Sequence, residues 1–464
     1  MKEFDIAIIG GGPAGYVTAI KAGQSGKSVV CIDNSQMLGG TCLNVGCIPS
    51  KALLNITDKY SEMSSHELLN KFGLKCDNVT FSLDQMMSYK NQTISDLDKG
   101  IKGLFKKNKV EYIAGKGSFL NQNTVEVIKS DGNTEQISAK NIIISTGSVP
   151  ASLPNIHIDE KRIVSSTGAL SLQTVPKNMV VIGAGVIGLE MGSIWSRLGS
   201  KVTIIEYTDS VLGGSDTDIS SEIQKILTKQ GMSFIMSAQV TGVDEISVHY
   251  KKDGKDLSIA DVDIVLVAVG RKANTNGLGL EKIGLQTNNK GQIDVDKQFK
   301  TAISNVYAIG DVIQGPMLAH KASEEGIALI EILCGKNVHI NYNTIPNIVY
   351  TKPEIAIIGK TEKQLESENI NYKVGKFKFT GNSRAKAIGE TAGFVKILVD
   401  AKTDEILGAA IINNVAGEMI HEIGVAMEFR AASEDIARTS HAHPTMSEAI
   451  KEAMLAAHDK PIHS

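Results

Sequence analysis

The chain has no apolar run approaching the ~18 residues that a membrane-spanning helix needs, which excludes a helical span. An excess of one charge is also missing. Lys and Arg number 48 against 51 Asp and Glu, for a net charge of −3. That balance gives no electrostatic reason to bind nucleic acid or an anionic membrane. Aromatic residues make up only 5%, with a single Trp, too few for the stacking platforms that hold single-stranded nucleic acid. The five cysteines are few and odd in number, which argues against a secreted disulfide framework. Cys31, Cys76 and Cys334 stand alone in apolar or mixed surroundings and are expected to be buried or half-buried small hydrophobes. Features of a secretory leader are absent too. Asp5 precedes the apolar run of residues 6–9, Gly10-Gly11-Gly12-Pro13 ends it, and no small-residue cleavage site follows. The run reads as a strand of a mature protein, and the expected compartment is a bacterial cytoplasm or a mitochondrial matrix.

What is plentiful is glycine, at 44 of 464 residues. A chain of this length holds two to four domains, and its glycines cluster beside apolar runs, as in tight strand–helix turns. One pattern occurs twice. The apolar strand 4–9 leads into Gly10, Gly12 and Gly15, then an apolar helix over 14–22, then a strand over 28–32 ending at Asp33. The strand 179–182 leads into Gly183, Gly185 and Gly188, then a helix through Arg197, then a strand over 201–205 ending at Glu206. In both copies the acid stands 23 positions after the first glycine (33 − 10 and 206 − 183). With this glycine frequency a lone G-x-G-x-x-G arises by chance roughly 0.4 times per chain; two copies with the same strand, helix and acid do not. The first glycine makes the turn, the second admits a pyrophosphate, and the third lets the helix pack on the sheet. The free N–H groups and positive dipole end of the helix then face the phosphates, and the acid accepts from ribose hydroxyls. Two such units imply two dinucleotides, or a dinucleotide and a related flavin.

Between and beyond these units the sequence predicts a helical stretch after residue 76, then short strands with turns at 121–123 and 130–133. It also predicts a strand over 141–145 meeting Thr146-Gly147, a strand over 264–269 before Gly270-Arg271, and a strand at 306–309 running into Gly310-Asp311. From about Tyr342 alternating strands, including 394–399 and 406–412, precede a helix over 416–430 and another near the C-terminus. That segment reads as an α+β domain. The expected division is 1–147, 148–270, 271–341 and 342–464. The fold class is α/β, with two Rossmann-like dinucleotide-binding units and a C-terminal α+β dimerisation domain.

The segment Gly39-Gly40-Thr41-Cys42-Leu43-Asn44-Val45-Gly46-Cys47-Ile48-Pro49-Ser50-Lys51 follows the first unit. In an ideal helix this cysteine spacing gives ~7.5 Å of rise, more than the ~6.8 Å between Cα atoms that a disulfide tolerates. A bridge therefore requires a distorted helix, which Gly46 permits. A strained bridge near a helix N-terminus is readily reduced, and the dipole lowers thiol pKa values. A zinc site lacks a second Cys or His pair nearby, and no metal is expected. The pair reads as a redox centre.

At this point the sequence resembles the pyridine nucleotide–disulfide oxidoreductases, from about residue 4 to 458. The resemblance rests on GGTCLNVGCIPSKALL at 39–54, GAGVIGLEMGSIWSRLG at 183–199, AIGDV at 308–312, MLAHKASEEG at 317–326 and HAHPTMSEA at 441–449. Within the family it resembles the branch that oxidises protein-bound dihydrolipoamide with FAD and NAD. The resemblance implies that Gly10, Gly12, Gly15 and Asp33 hold the ADP half of FAD, where glutamate is the commoner acid. Thr41, Lys51, Gly117, Thr146, Gly147 and Asp311, with backbone from Met317, Leu318, Ala319 and His320, belong to the flavin site. Gly183, Gly185, Ile187, Gly188, Glu190, Glu206 and Gly270 belong to NAD. Glu206 would repel a 2′-phosphate, and no arginine follows in 207–210, which favours NAD over NADP.

The resemblance further implies that Cys42 is the interchange thiol and Cys47 the flavin-side sulfur. His443 is the implied base, oriented by Glu448 and supplied by the other subunit of a homodimer. A histidine before a proline is more often a turn or packing residue, and the surrounding motif decides otherwise here. His441 is expected to be structural, and the His443–Pro444 bond to be cis. Glutathione and trypanothione reductases use NADPH and carry Val-Pro-Lys-Lys where Ile48-Pro49-Ser50-Lys51 stands. Mercuric reductases add a C-terminal cysteine pair that residues 458–464 lack. A non-catalytic assembly module would not need Cys42, Cys47 and His443 together. The expected partner is a lipoyl-bearing acyltransferase component or lipoyl carrier protein, since no lipoyl domain precedes the first strand. Neither nucleic acid nor a membrane is expected as a partner.

Overall fold

A computed structural model describes residues 2–463. Its organising element is the strand Lys2–Ile9, whose last four residues are buried. The strand pairs in parallel with Val29–Asp33 on one side and with Thr134–Ile144 on the other. Val110–Ala114 extends the sheet beyond Val29–Asp33. Val306–Ala308 returns from far along the chain to pair in parallel with Ile142–Ile144. The expected strand at 141–145 is thus only the end of an eleven-residue strand. Its first half turns antiparallel partners, Thr124–Ile128 and then Lys116–Asn121, onto the same sheet. The turns at 121–123 and 130–133 fall where the polar residues place them.

The second unit repeats the first. Asn178–Ile182 lies between Lys201–Ile205 and Ile264–Val267, all parallel, with Ser233–Ile235 and Ile163–Val164 at the edges. A three-stranded antiparallel sheet over 238–259 is attached to it. The short pair Ser148–Pro150 with Arg271–Ala273 joins the chain where it enters and leaves this unit.

The C-terminal segment carries a five-stranded antiparallel sheet with outer strands Asn347–Val349 and Tyr372–Lys378. Its central strands, Phe394–Asp400 and Ile406–Asn413, are almost wholly buried. The helices Ala416–Glu428 and Glu448–Ala456 pack on it, with their apolar residues in one core with the strands. A third helix, Ser433–Arg438, lies between them and was not expected. It is a short polar turn of chain whose only strong signal is Glu434 and Asp435 in its first turn. No helix of the described residues is long and apolar enough to cross a membrane.

Candidate active site

The two glycine turns solve the same steric problem with the same contacts. A Cβ on Gly15 would lie 1.7 Å from the carbonyl oxygen of Gly10, and a Cβ on Gly188 would lie 2.0 Å from that of Gly183. These third glycines let the helices Pro13–Gln24 and Val186–Arg197 press against their turns. The second glycines are open instead. A Cβ on Gly12 would meet nothing nearer than 3.8 Å, and one on Gly185 nothing within 4 Å. Space is therefore left at the helix N-terminus, where a pyrophosphate fits. Neither helix has a side-chain cap or an acid in its first turn, so the terminal N–H groups keep their donors free.

The acid at each strand end is already oriented. Asp33 accepts from the N–H of Gly11 at 2.5 Å and from Ser35 N–H at 2.8 Å. Glu206 accepts from the equivalent Ala184 N–H at 2.6 Å and from the Thr208 N–H and hydroxyl. Burial raises the Asp33 pKa, opposed by its two backbone hydrogen bonds. Gly117, on the strand Lys116–Asn121, packs between Ile9 and Ile32 of the first unit.

A second cluster surrounds Asp311. Its carboxylate accepts from the Ser148 hydroxyl at 2.5 Å, and Arg271 donates to Ser148 Oγ and O at 2.7 and 2.6 Å. Thr146 donates to the Asn274 carbonyl, and Gly147 (φ 72°) leaves open space where a side chain would stand. The preceding residue, Gly310, is gripped at both ends of its backbone. Its N–H donates to Glu325 at 2.8 Å and its carbonyl accepts from Lys321 Nζ at 3.0 Å. Lys321 and Glu325 pair with each other, and both side chains are fully buried. They lie on the helix Ala319–Leu333, a third uncapped N-terminus with no acid in its first turn. Met317 to His320 lead into that terminus. The His320 ring is committed to the Pro346 carbonyl at 2.8 Å, which leaves its backbone for the site.

The cysteines occupy a broken helix, the distortion that a bridge between them would need. The helix Gly40–Val45 stops at Gly46, and Cys47–Ser64 begins a new one. A Cβ on Gly46 would crowd the Thr41 carbonyl at 2.9 Å. Both cysteines are free thiols here. The Cys42 thiol donates toward Cys47, so the two titrate in opposite directions. The bond from Cys42, with Lys51 nearby, brings Cys47 down to about 7 against the cost of burial. Donating that bond, together with burial, pushes Cys42 up. The protein thus favours one thiolate and one thiol, with the charge on Cys47.

Lys51, one turn along the helix from Cys47, is held by Glu190 through both carboxylate oxygens, at 3.0 and 2.9 Å. Glu190, expected at NAD from its place beside Ile187, is buried and also accepts from the Tyr350 N–H at 3.0 Å. The Lys51 ammonium stands 4.5 Å over the Tyr350 ring. The pair joins the helix Cys47–Ser64 to the helix Val186–Arg197. The Arg197 guanidinium adds another link by donating to the Leu54 carbonyl.

Comparison with known proteins places this arrangement. The family model described as pyridine nucleotide-disulphide oxidoreductase matches residues 4–326, and that of the family's dimerisation domain matches residues 345–454. The chain belongs to the pyridine nucleotide-disulphide oxidoreductase family. It is 51% identical to the mitochondrial dihydrolipoyl dehydrogenase of Dictyostelium discoideum, covering 100% of this chain and 96% of that one. It is 52% identical to mitochondrial dihydrolipoyl dehydrogenase 1 of Arabidopsis thaliana, covering 99% and 92%. Among solved structures, LpdA of Mycobacterium tuberculosis superposes with a TM-score of 0.89 at 27% identity, covering 98% of this chain and 99% of that one.

Family members are flavoproteins that use FAD with a pyridine nucleotide, and the open second glycines, bare helix N-termini and oriented acids fit both groups. The dimerisation-domain match covers His443 and Glu448. Glu448 accepts from His443 Nδ1 at 2.9 Å and from the Thr445 N–H at 2.8 Å, and the His443–Pro444 bond is cis. The His443 ring is 68% exposed, so outside its bond to Glu448 it is open to solvent. His441 is buried on Glu422 at 2.7 Å, the structural role expected of it. Cys334 departs from expectation: it caps the C-terminal end of Ala319–Leu333 and is exposed. Ser148, Arg271, Lys321, Glu325 and Tyr350 were not among the residues that sequence reasoning singled out for a role. Ser148, Arg271 and Tyr350 act through space on residues more than a hundred positions away, whereas Lys321 and Glu325 fall inside a recognised segment and reach back to the nearby Gly310.

Proposed function

We propose that this chain is a dihydrolipoyl dehydrogenase, oxidising a protein-borne dihydrolipoyl group and delivering its two electrons to NAD. The observation that carries this reading is the placement of Cys42 and Cys47 on the two helices that meet at the Gly46 break, in the segment where the Lys51–Glu190 pair also lies. The full-length identity with dihydrolipoyl dehydrogenases supports the choice of substrate.

In the oxidised enzyme the two sulfurs are bridged. One thiol of the substrate attacks Cys42 Sγ, forms a substrate–Cys42 disulfide and displaces Cys47 as thiolate. His443 takes the proton of the attacking thiol, and Glu448 holds its imidazole with Nδ1 donating. The second substrate thiol, again relieved of its proton, displaces Cys42 and closes the substrate's own disulfide. Two electrons now reside on the protein as a dithiol in place of a bridge. FAD, when bound, supplies the two-electron carrier between this dithiol and NAD. Lys51 places a cation near Cys47, where it would stabilise negative charge on a reduced flavin. Gly10, Gly12, Gly15, Asp33, Thr41, Thr146, Gly147, Asp311 and the 317–320 backbone would hold FAD. Gly183, Gly185, Gly188, Glu206, Ile187 and Gly270 would hold NAD. The overall balance is dihydrolipoyl plus NAD⁺ giving lipoyl, NADH and one proton.

The exposed His443 supports a homodimer in which each base serves the partner's cysteines. The division at 147/148, 270/271 and 341/342 belongs to this reading, and the joining pair Ser148–Pro150 with Arg271–Ala273 supports its first two points. The mitochondrial relatives favour a matrix enzyme that meets its lipoyl group on another protein. One assay panel tests the reading: dihydrolipoamide with NAD, against glutathione disulfide with NADPH. Turnover in the first supports it, and turnover only in the second overturns it.

A further inference from the structure

We propose that Tyr350 is a positioning residue for Lys51, its ring face and backbone N–H closing the Lys51–Glu190 pair so that the lysine cation stays beside the Cys47 sulfur. The inference rests on the dithiol–flavin reading above and adds to it a residue from the C-terminal sheet. Tyr350 directly follows the strand Asn347–Val349. It touches the ion pair twice. Its N–H donates to Glu190 Oε1, and its ring lies under Lys51 Nζ.

A lysine ammonium is a point charge on a flexible four-carbon stem. Glu190 alone fixes its distance but not its direction. The side chain keeps 32% of its surface exposed, so one flank is open. An aromatic face on another flank holds a partly desolvated cation by its quadrupole. The hydroxyl is not needed for this. Burial, with Glu354 and Glu190 nearby, raises the phenol pKa, so at neutral pH the ring contributes its face and no proton.

The titratable groups that bear on Cys47 come from every element around it: Cys42 and Lys51 from the broken helix, Glu190 from the helix Val186–Arg197, Arg271 from the joining strand, and the neutral phenol of Tyr350. Of these, Lys51 is the nearby cation whose place depends on a neighbour's ring.

The test compares Tyr350→Phe, Tyr350→Leu and Tyr350 replaced by trifluorophenylalanine in the FAD-loaded dimer. The dithiol enzyme is titrated by its long-wavelength thiolate–flavin absorbance against pH. Phe keeps the half-point of the wild type. Leu removes the ring, and trifluorophenylalanine drains its negative face at nearly constant shape. Both are expected to move the half-point upward by about half to one pH unit, about three- to tenfold in proton affinity. Should Leu lose its fold or flavin, the fluorinated variant against Phe decides alone. A fluorinated half-point equal to that of Phe overturns the assignment and leaves Tyr350 a packing residue. A wild type without the absorbance overturns the dithiol–flavin reading itself, and this proposal with it.

Discussion

Lys321 and Glu325 stand one helical turn apart, fully buried, 3.0 Å from nitrogen to oxygen, and between them they hold both polar ends of Gly310. Removing one partner of a buried pair strands a charge, which costs about 3–5 kcal/mol. Lys321→Met is therefore expected to lower the unfolding midpoint sharply, followed through Trp195 fluorescence. A Lys321→Met, Glu325→Leu double variant removes the stranded charge and recovers part of the loss. It leaves the Gly310 N–H and C=O unpaired at about 1–3 kcal/mol each. Because Asp311 comes next, the double variant should still release flavin at lower temperature than the wild type. Full recovery of both stability and flavin retention would contradict the clamp.

The glycine pair of the second unit separates packing from binding. Gly188→Ala pushes a methyl group against the Gly183 carbonyl, 2.0 Å away, and overpacking of this kind costs about 1–3 kcal/mol. Stability and NAD affinity should both fall. Gly185→Ala meets no protein atom within 4 Å, so stability should change by less than about 0.5 kcal/mol. Its methyl group occupies the phosphate space, and KM for NAD is expected to rise about tenfold, a loss near 1.4 kcal/mol. Steady-state kinetics beside thermal melts check both, and an unchanged KM in Gly185→Ala would refute the cradle.

The thiol titration has a definite sign. The Cys47 pKa is depressed to about 7, so the thiolate of the dithiol enzyme should half-develop near pH 7 and grow as pH rises. The leading cause is the hydrogen bond from Cys42. Cys42→Ala deletes that donor, and the half-point should move up toward that of an ordinary thiol, ~8.5. Absorbance of the reduced enzyme against pH reads the shift.

The His443–Glu448 pair should matter only where a thiol proton moves. His443→Gln is expected to slow dihydrolipoamide oxidation by about 10²–10⁴-fold. Reduction of an artificial quinone by NADH needs no such base and should stay near the wild-type rate. Glu448→Gln retains an acceptor for Nδ1 but loses its charge, so its loss should be smaller. Co-expressing Cys47→Ser and His443→Gln chains tests the shared site, because a mixed dimer owns one complete set and should regain activity that neither parent has.

Much of this was legible in the sequence because it is local. Gly10 to Asp33 and Gly183 to Glu206 each encode a turn, a helix and an acid within one continuous stretch. Steric rules tie residue type to place there, down to the matching N–H donors of Gly11 and Ala184. Gly46 was legible for the same reason, since a bridge between two cysteines at that spacing would need a break and glycine permits one. The missed residues share a different property. Tyr350 meets Lys51, and Arg271 meets Ser148, only after distant strands have come together. No period or spacing records that approach. Glu190 shows the intermediate case: its helix face was readable, but its commitment to Lys51 needed a second element. Cys334 was judged by its apolar neighbours, although the helix ends there and turns it to solvent.

The late return of Val306–Ala308 to the strand edge at Ile142–Ile144 has a consequence during synthesis. As the chain leaves the ribosome, the N-terminal sheet presents three consecutive isoleucines on an unmatched edge. That edge stays bare until the whole second nucleotide unit and its exit strand have been translated. An unpaired strand edge of this kind is open to pairing with other chains, and it is closed only when residues 306–308 arrive.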